Sequence, residues 1–197
     1  MTLSSLTVCP ATAADAEPLV ALLAEAFAED PLTVWAFPDP VRRRRLLPGY
    51  FRALYDLAVA QRGAYTTGDR QAVVLSTPPR AADPGEPFAH RLAAAAGEYA
   101  DALMTIVDRR ELYHPASPRH LYLGFCAVSP ERQRTGLAGA VMAHLMRECD
   151  RDGTPAYLEA SSAGGEAVAW RAGFEPHGPL IHIPGGPQLR PMWRDPR

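Results

Sequence analysis

The sequence predicts an α/β (α+β) chain in which a central mixed sheet is flanked by helices, and three observations carry that prediction. From Leu121 a strand, a glycine turn and a helix follow one another without a break to Cys149. Two apolar segments, Gly63 to Thr67 and Ala72 to Ser76, flank Gly68-Asp69 in the pattern of a hairpin. Capping residues, Thr12 with Asp15 and Asp39 with Pro40, stand just before stretches of helical character. A length of 197 residues suits one domain with room for a sizeable core, so residues 1–197 are expected to form a single unit.

In chain order, Leu6 to Val8 reads as a first strand, and Thr12 with Asp15 opens a helix running to about Phe27. Asp39-Pro40 caps and starts a second helix. That helix carries Arg42 to Arg45 and meets Pro48-Gly49, where the missing N–H predicts a kink or a split before it continues to Gln61. After the hairpin, Pro78 to Pro87 is a proline-rich loop and Phe88 to about Arg110 is helical. Leu121 to Val128 is apolar and aromatic and is stopped by Pro130, as a strand should be. Beyond Gly136, residues Leu137, Ala138, Val141, Met142, Leu145, Met146 and Cys149 recur at i, i+1, i+4, i+5, the stripe of a helix packed on a sheet. A strand at Ala156 to Ala160, a short helix, and strands near Leu180 to Ile183 and Leu189 to Trp193 bring the total to about seven strands. No internal repeat is found.

Composition excludes several function classes. A net charge of −2 argues against general nucleic-acid affinity, and four adjacent arginines, Arg42 to Arg45, spread around a helix as a solvated surface. Cys9, Cys126 and Cys149 are odd in number and widely spaced, so neither a disulfide framework nor a metal site is expected. The first residues have no basic region followed by an apolar one, and no run is long enough to span a bilayer. A cytoplasmic protein without a membrane partner is the expectation.

The turn Gln133-Arg134-Thr135-Gly136-Leu137-Ala138 has the makings of an anion site. Backbone N–H groups at a helix start lack intrahelical partners, and the helix dipole adds roughly half a positive charge there. A phosphate suits that position. Gly136 and Ala138 keep bulk off the turn, while Arg132 and Arg134 add positive charge beside it.

Gln133-x-x-Gly136-x-Ala138 after a strand resembles the Gln/Arg-x-x-Gly-x-Gly/Ala signature of the GNAT superfamily of acetyl-CoA-dependent N-acetyltransferases, where this turn grips the pyrophosphate of coenzyme A. Pro155 to Ser162, followed by Ala169-Trp170-Arg171-Ala172-Gly173-Phe174-Glu175, is similar to the family's next strand, short helix and Gly-Phe turn, although Gly173-Phe174 is also an ordinary helix stop. Phe27-Ala28-Glu29-Asp30-Pro31, Trp35-Ala36-Phe37-Pro38-Asp39, Tyr65-Thr66-Thr67, Gly185-Gly186-Pro187 and Met192-Trp193-Arg194 resemble the puromycin N-acetyltransferase-like branch. The resemblance covers most of the chain and is thinnest from Pro78 to Ser117.

The resemblance implies a single GNAT-like domain with a mostly antiparallel sheet splayed at the coenzyme A site. It implies direct transfer of an acetyl group from acetyl-CoA to a primary amine of a small molecule, by a monomer or homodimer. The coenzyme would lie on Cys126, Ala127 and Val128 of the strand and on Gln133, Arg134, Thr135, Gly136, Leu137, Ala138 and Gly139 of the turn. An amide near Cys126 or Ala127 would polarise the thioester, and Gly124 marks a bulge, a close approach, or a place filled by a neighbouring helix.

Attack on a thioester asks for a base, an oxyanion donor and an acid. Glu159 is the leading base, and it reads equally as a paired structural carboxylate; His120 and Tyr122 are secondary. The family's tyrosine acid is replaced by Trp170, and its asparagine region reads Ala163-Gly164-Gly165. An indole N–H donates a hydrogen bond but no proton near neutral pH. Trp170 is therefore expected beside the pantetheine sulfur, with water or a hydroxyl supplying the proton. Phe27, Asp30, Trp35 and Phe37 are the expected acceptor residues, and packing under the loop explains Trp35 and Phe37 equally well; Tyr99 and Met104 are further wall residues. Two other readings remain. Gly136-x-x-Gly139 with Glu159 suggests a dinucleotide unit, against which Ser129 to Thr135 intervenes between strand and glycine. Loss of the asparagine and tyrosine suggests an acyl-CoA-binding sensor with little turnover.

Overall fold

The computed structural model describes residues 7–197. Its sheet has eight strands: β1 Val8–Pro10, β2 Ala64–Thr67, β3 Ala72–Thr77, β4 Leu121–Val128, β5 Ala156–Ala160, β6 Glu175–Pro176, β7 Ile181–His182 and β8 Gln188–Arg194. The order is β1-β2-β3-β4-β5-β8-β6, with β7 on β8. Among the described residues only β4 and β5 run parallel; the other pairs are antiparallel. The mixed, mostly antiparallel sheet is as expected. The additional strand is β6, whose two exposed residues are too few to carry a period. The first strand lies later than the sequence reading, which shares only Val8 with it; Leu6 is outside the described residues.

Helices α1 (Ala16–Phe27), α3 (Pro40–Ala60), α4 (Gly85–Ala96) and α5 (Ala100–Tyr113) cover one face, and α6 (Leu137–Asp152) and α7 (Ala163–Arg171) the other. Alternation along β3 divides the core: Val73 and Leu75 join the first cluster, Ala72 and Val74 the second. Thr12 and Asp15 close on each other as expected, the Thr12 N–H and Oγ1 both donating to Asp15 Oδ2 at 3.0 and 2.8 Å. A 3-10 turn, Ala13–Asp15, comes before α1.

Three helical expectations need correction. A short helix, α2 (Pro31–Ala36), was not anticipated, although Asp30 accepts the Leu32 N–H and Pro31 fills the first turn, the chemistry used again at Asp39-Pro40. Pro48 does not split α3. The buried row Arg43, Leu47, Phe51 and Tyr55 continues at i+4 across it, and burial of that row outweighs one lost hydrogen bond. The stretch after the proline-rich segment starts at Gly85 and breaks at Gly97, whose φ of 59° ends α4.

Candidate functional site

Strands β4 and β5 pair only at Leu121↔Ala156 and Tyr122↔Tyr157. Beyond that point β4 stays on β3 as far as Val128 and β5 stays on β8 as far as Ala160, so the two strands part. A bulge helps to turn β4: Leu75 faces Phe125 while Ser76 faces Leu123, which leaves Gly124 as the extra residue. A Cβ at Gly124 would stand 3.5 Å from the Leu75 carbonyl oxygen, an ordinary contact, so the glycine marks the bulge rather than a steric need. The bulge also reverses the strand's phase: Leu121 and Leu123 belong to the second core, Ala127 to the first. Ser129 donates its N–H to Gln71 O, on the β3 side. Alternation therefore puts the N–H groups of Cys126 and Val128 on the side where no strand follows.

The gap between the strands opens into a cavity of ≈ 490 Å³. Gln133, Ala138 and Met142 border its outer end. There the chain makes a 3-10 turn at Pro130–Arg132, takes positive φ at Arg134 (61°) and Gly136 (88°), and enters α6 with no side chain capping it. Positive φ suits glycine at position 136, and nothing lies within 4 Å of a Cβ built there or at Gly139, so no neighbouring atoms crowd these positions at the start of α6, whose first N–H groups have no intrahelical partners. Thr135 Oγ1 donates to Arg132 O at 2.6 Å and fixes the turn.

The inner end is built from side chains. Tyr122 donates its hydroxyl to Glu159 Oε2 at 2.8 Å, and Arg110 Nε lies 3.3 Å from the same oxygen. The Glu159 side chain is fully closed from solvent, and its Oε1 has no hydrogen-bond partner among the described residues; His114 Nδ1 is 3.9 Å away. Burial pushes the Glu159 pKa up, but the Arg110 charge and the surrounding donors outweigh it and hold the carboxyl below its ordinary value. Burial raises the Tyr122 phenol well above its ordinary value, so this hydroxyl is a donor and not a base. Across the cavity, Asp30 holds the start of α2 and accepts the Ser161 hydroxyl at 2.6 Å, tying the α1–α2 loop to the end of β5.

The sequence-derived candidates separate into two groups. Phe27, Asp30, Phe37, Cys126, Ala127, Val128, Gln133, Ala138 and Glu159 line the cavity. Trp35 does not: its indole donates to Gly185 O at 2.9 Å and braces the turn before β8. Trp170 is 49% exposed on the outer side of α7, where Val168 and Ala169 are the cavity residues. Trp170, expected beside a pantetheine sulfur, is therefore not among the residues that line the cavity. His120 lies away from the cavity, its Nε2 3.0 Å from His114 Nε2, and burial lowers its pKa. Tyr99 meets Phe37 edge to face at 5.6 Å between ring centres and, with Met104, packs against the core. Cys126 is held as a thiol by burial, at about 11.

Sequence reasoning missed Arg110, Tyr50 and Ser161, which all line the cavity. One signal was present. Leu103, Ile106 and Arg110 follow the i, i+3, i+7 spacing of one helix face, so the apolar stripe of α5 ends in a charge. Among the described residues no group of three or more His, Cys, Asp or Glu could hold a metal ion, and no helix is long and apolar enough to cross a membrane.

Residues 53–174 match the model of the acetyltransferase (GNAT) family. The chain belongs to the GNAT acetyltransferase family. Solved structures agree with this GNAT fold. One described as histone acetyltransferase HPA2 and related acetyltransferase, from Corynebacterium glutamicum, is 27% identical with a TM-score of 0.67, over 98% of this chain and 97% of that one. Arylalkylamine N-acetyltransferase 2 from Aedes aegypti is 12% identical with a TM-score of 0.67, over 98% and 100%. An agmatine N-acetyltransferase is 16% identical with a TM-score of 0.55, over 95% and 98%. GNAT members are acyl-CoA-dependent acetyltransferases, and the parted strands and uncapped helix are features that fit such a co-substrate.

Proposed function

We propose that this GNAT protein transfers an acetyl group from acetyl-CoA directly to a primary amine of a small molecule, inside the cleft between β4 and β5. One observation carries the reading. The parting of the strands joins the open N–H groups at the start of α6 to the buried Glu159–Arg110 pair by a single cavity.

In this reading the pyrophosphate lies on the turn from Gln133 to Gly139, where Arg134 adds charge and the main chain supplies the donors. The pantetheine follows β4, and the Cys126 N–H polarises the thioester carbonyl and holds the oxyanion that forms when the amine attacks. Glu159, kept ionised, takes the amine's proton by way of water, because its side chain is closed to direct contact. Tyr122 positions Glu159 by its hydrogen bond. A thiol of pKa about 8.5 leaves tolerably without a dedicated acid, so neither Trp170 nor His120 is needed for the chemistry. Phe27, Phe37 and Asp30 form the acceptor end, and Trp35 positions their loop.

Small-amine acceptors are supported by the neighbours named for arylalkylamines and for agmatine, and by the resemblance to the puromycin N-acetyltransferase-like branch. The test is release of free thiol from acetyl-CoA across small amines, aminoglycosides, amino-nucleosides and peptide N-termini, paired with calorimetric titration of coenzyme A. Binding with turnover on one amine class is expected. Binding without turnover would make the protein an acyl-CoA sensor, and absence of binding would remove the cleft argument.

A further inference from the structure

We infer that the acceptor carries a carboxylate as well as its amine, on an apolar body, and that Arg110 binds that carboxylate. The inference rests on the amine-acetylating reading above and narrows its substrate class. Arg110 ends the cavity-facing row of α5, after Leu103 and Ile106, and its side chain is 19% exposed. Its guanidinium makes no hydrogen bond with any described residue: Nε is close to Glu159 Oε2 but not aligned with it. Glu159 is engaged by Tyr122 and lies on the Nε side, which leaves the fork of Nη1 and Nη2 without a partner.

Arg110 shares the cavity wall with Phe37, Tyr50, Leu103 and Ile106, and although Glu159 balances its charge on the Nε side, donors left without hydrogen bonds at Nη1 and Nη2 are costly where water is scarce. A carboxylate answers that need better than any neutral group, because it meets the planar fork with two parallel charge-assisted hydrogen bonds. Apart from the Tyr50 hydroxyl, the side chains named beside Arg110 are apolar, which suits an acceptor whose body is mainly apolar. The Glu159 carboxylate beside Arg110 provides the opposite polarity that an amine requires, reached by way of water because the side chain is closed from solvent.

The experiment titrates the protein with coenzyme A bound, using L-phenylalanine against phenethylamine and L-leucine against isopentylamine, in wild type, Arg110→Gln and Arg110→Lys. Wild type should bind the carboxylated member of a pair about tenfold or more tightly. Arg110→Gln should bring the ratio close to one, and Arg110→Lys should keep part of it. Coenzyme A titration of each variant reports whether it is folded. Equal or weaker binding of the carboxylated member by wild type, a ratio unchanged in Arg110→Gln, or no binding by either pair overturns the inference. Thiol release separates the two readings. A ratio without turnover leaves the carboxylate site standing and removes the transfer reading. Turnover without a ratio does the reverse.

Discussion

In the proposed reading, the groups facing a ligand at the outer end of the cleft are main-chain N–H groups of a turn and one helix start, all within Gln133 to Gly139, of which Gln133 and Ala138 line the cavity. At the inner end they are side chains of Asp30, Arg110, Tyr122 and Glu159, drawn from the α1–α2 loop, α5, β4 and β5. The outer end depends on two positive φ values and on the absence of a cap; the inner end depends on four elements meeting. A backbone-built site should therefore tolerate side-chain changes and fail when φ is disturbed. A side-chain-built site should fail at single functional groups.

The largest expected effect is at the inner end. Glu159→Gln should lower turnover about 100-fold in the thiol-release assay, with coenzyme A affinity unchanged by calorimetry; an equal loss of both would erase the division between the ends. The pH profile sharpens the same point. Arg110 holds the Glu159 carboxyl below its ordinary value of 4.5, so Glu159 stays ionised as pH falls through that value and is neutralised only below it. The stability and activity it contributes are present above the unfolded pKa and are lost as pH falls through the depressed one. Arg110→Gln removes the largest influence opposing burial and leaves only the hydrogen-bond donors, so the acid limb of the rate profile should move to higher pH; an unmoved limb would separate Glu159 from the rate.

At the outer end, Gly136→Val forces a β-branched residue to a φ of 88° and should weaken coenzyme A binding about tenfold, leaving turnover at saturation near wild type. Trp170→Phe, on the exposed side of α7, should change neither affinity nor turnover measurably. A large effect there would return Trp170 to the chemistry.

The smallest effect on activity belongs to a pair outside both ends. Arg194 grips Asp150 with two hydrogen bonds of 2.7 and 2.9 Å and holds its pKa down at about 2. That contribution is complete above the unfolded value of 3.8 and fades as pH falls through about 2. Asp150→Asn should cost about 1–2 kcal/mol in thermal unfolding at neutral pH, because the carboxylate is part-exposed and only one charge-assisted contact set is lost. Neither ligand affinity nor turnover should follow.

Legibility in the sequence follows the same division. The turn at Gln133 to Ala138 and the stripe of α6 could be read because capping, φ preference and helical period act over a few adjacent residues. The hairpin of β2 and β3 was legible for the same reason. Glu159 and Tyr122 were each legible from their places on strands, but their pairing was not and Arg110 was missed, since Arg110 and Tyr122 stand 49 and 37 residues from Glu159 and no local pattern links them. Trp170 is the opposite case, a position picked out by its place in a motif whose side chain α7 leaves half-exposed and off the cavity lining.

By itself the sequence determined the strand–turn–helix unit, the β2–β3 hairpin and an anion-ready helix start, because each follows from backbone preferences of neighbouring residues. Tertiary structure alone decided that β4 leaves β5 after two pairs, that α5 brings a guanidinium to a buried carboxylate, and that Asp30 closes on Ser161. Those contacts form only when the two cores on either side of the sheet fix where each element ends, and no short stretch of chain contains that information.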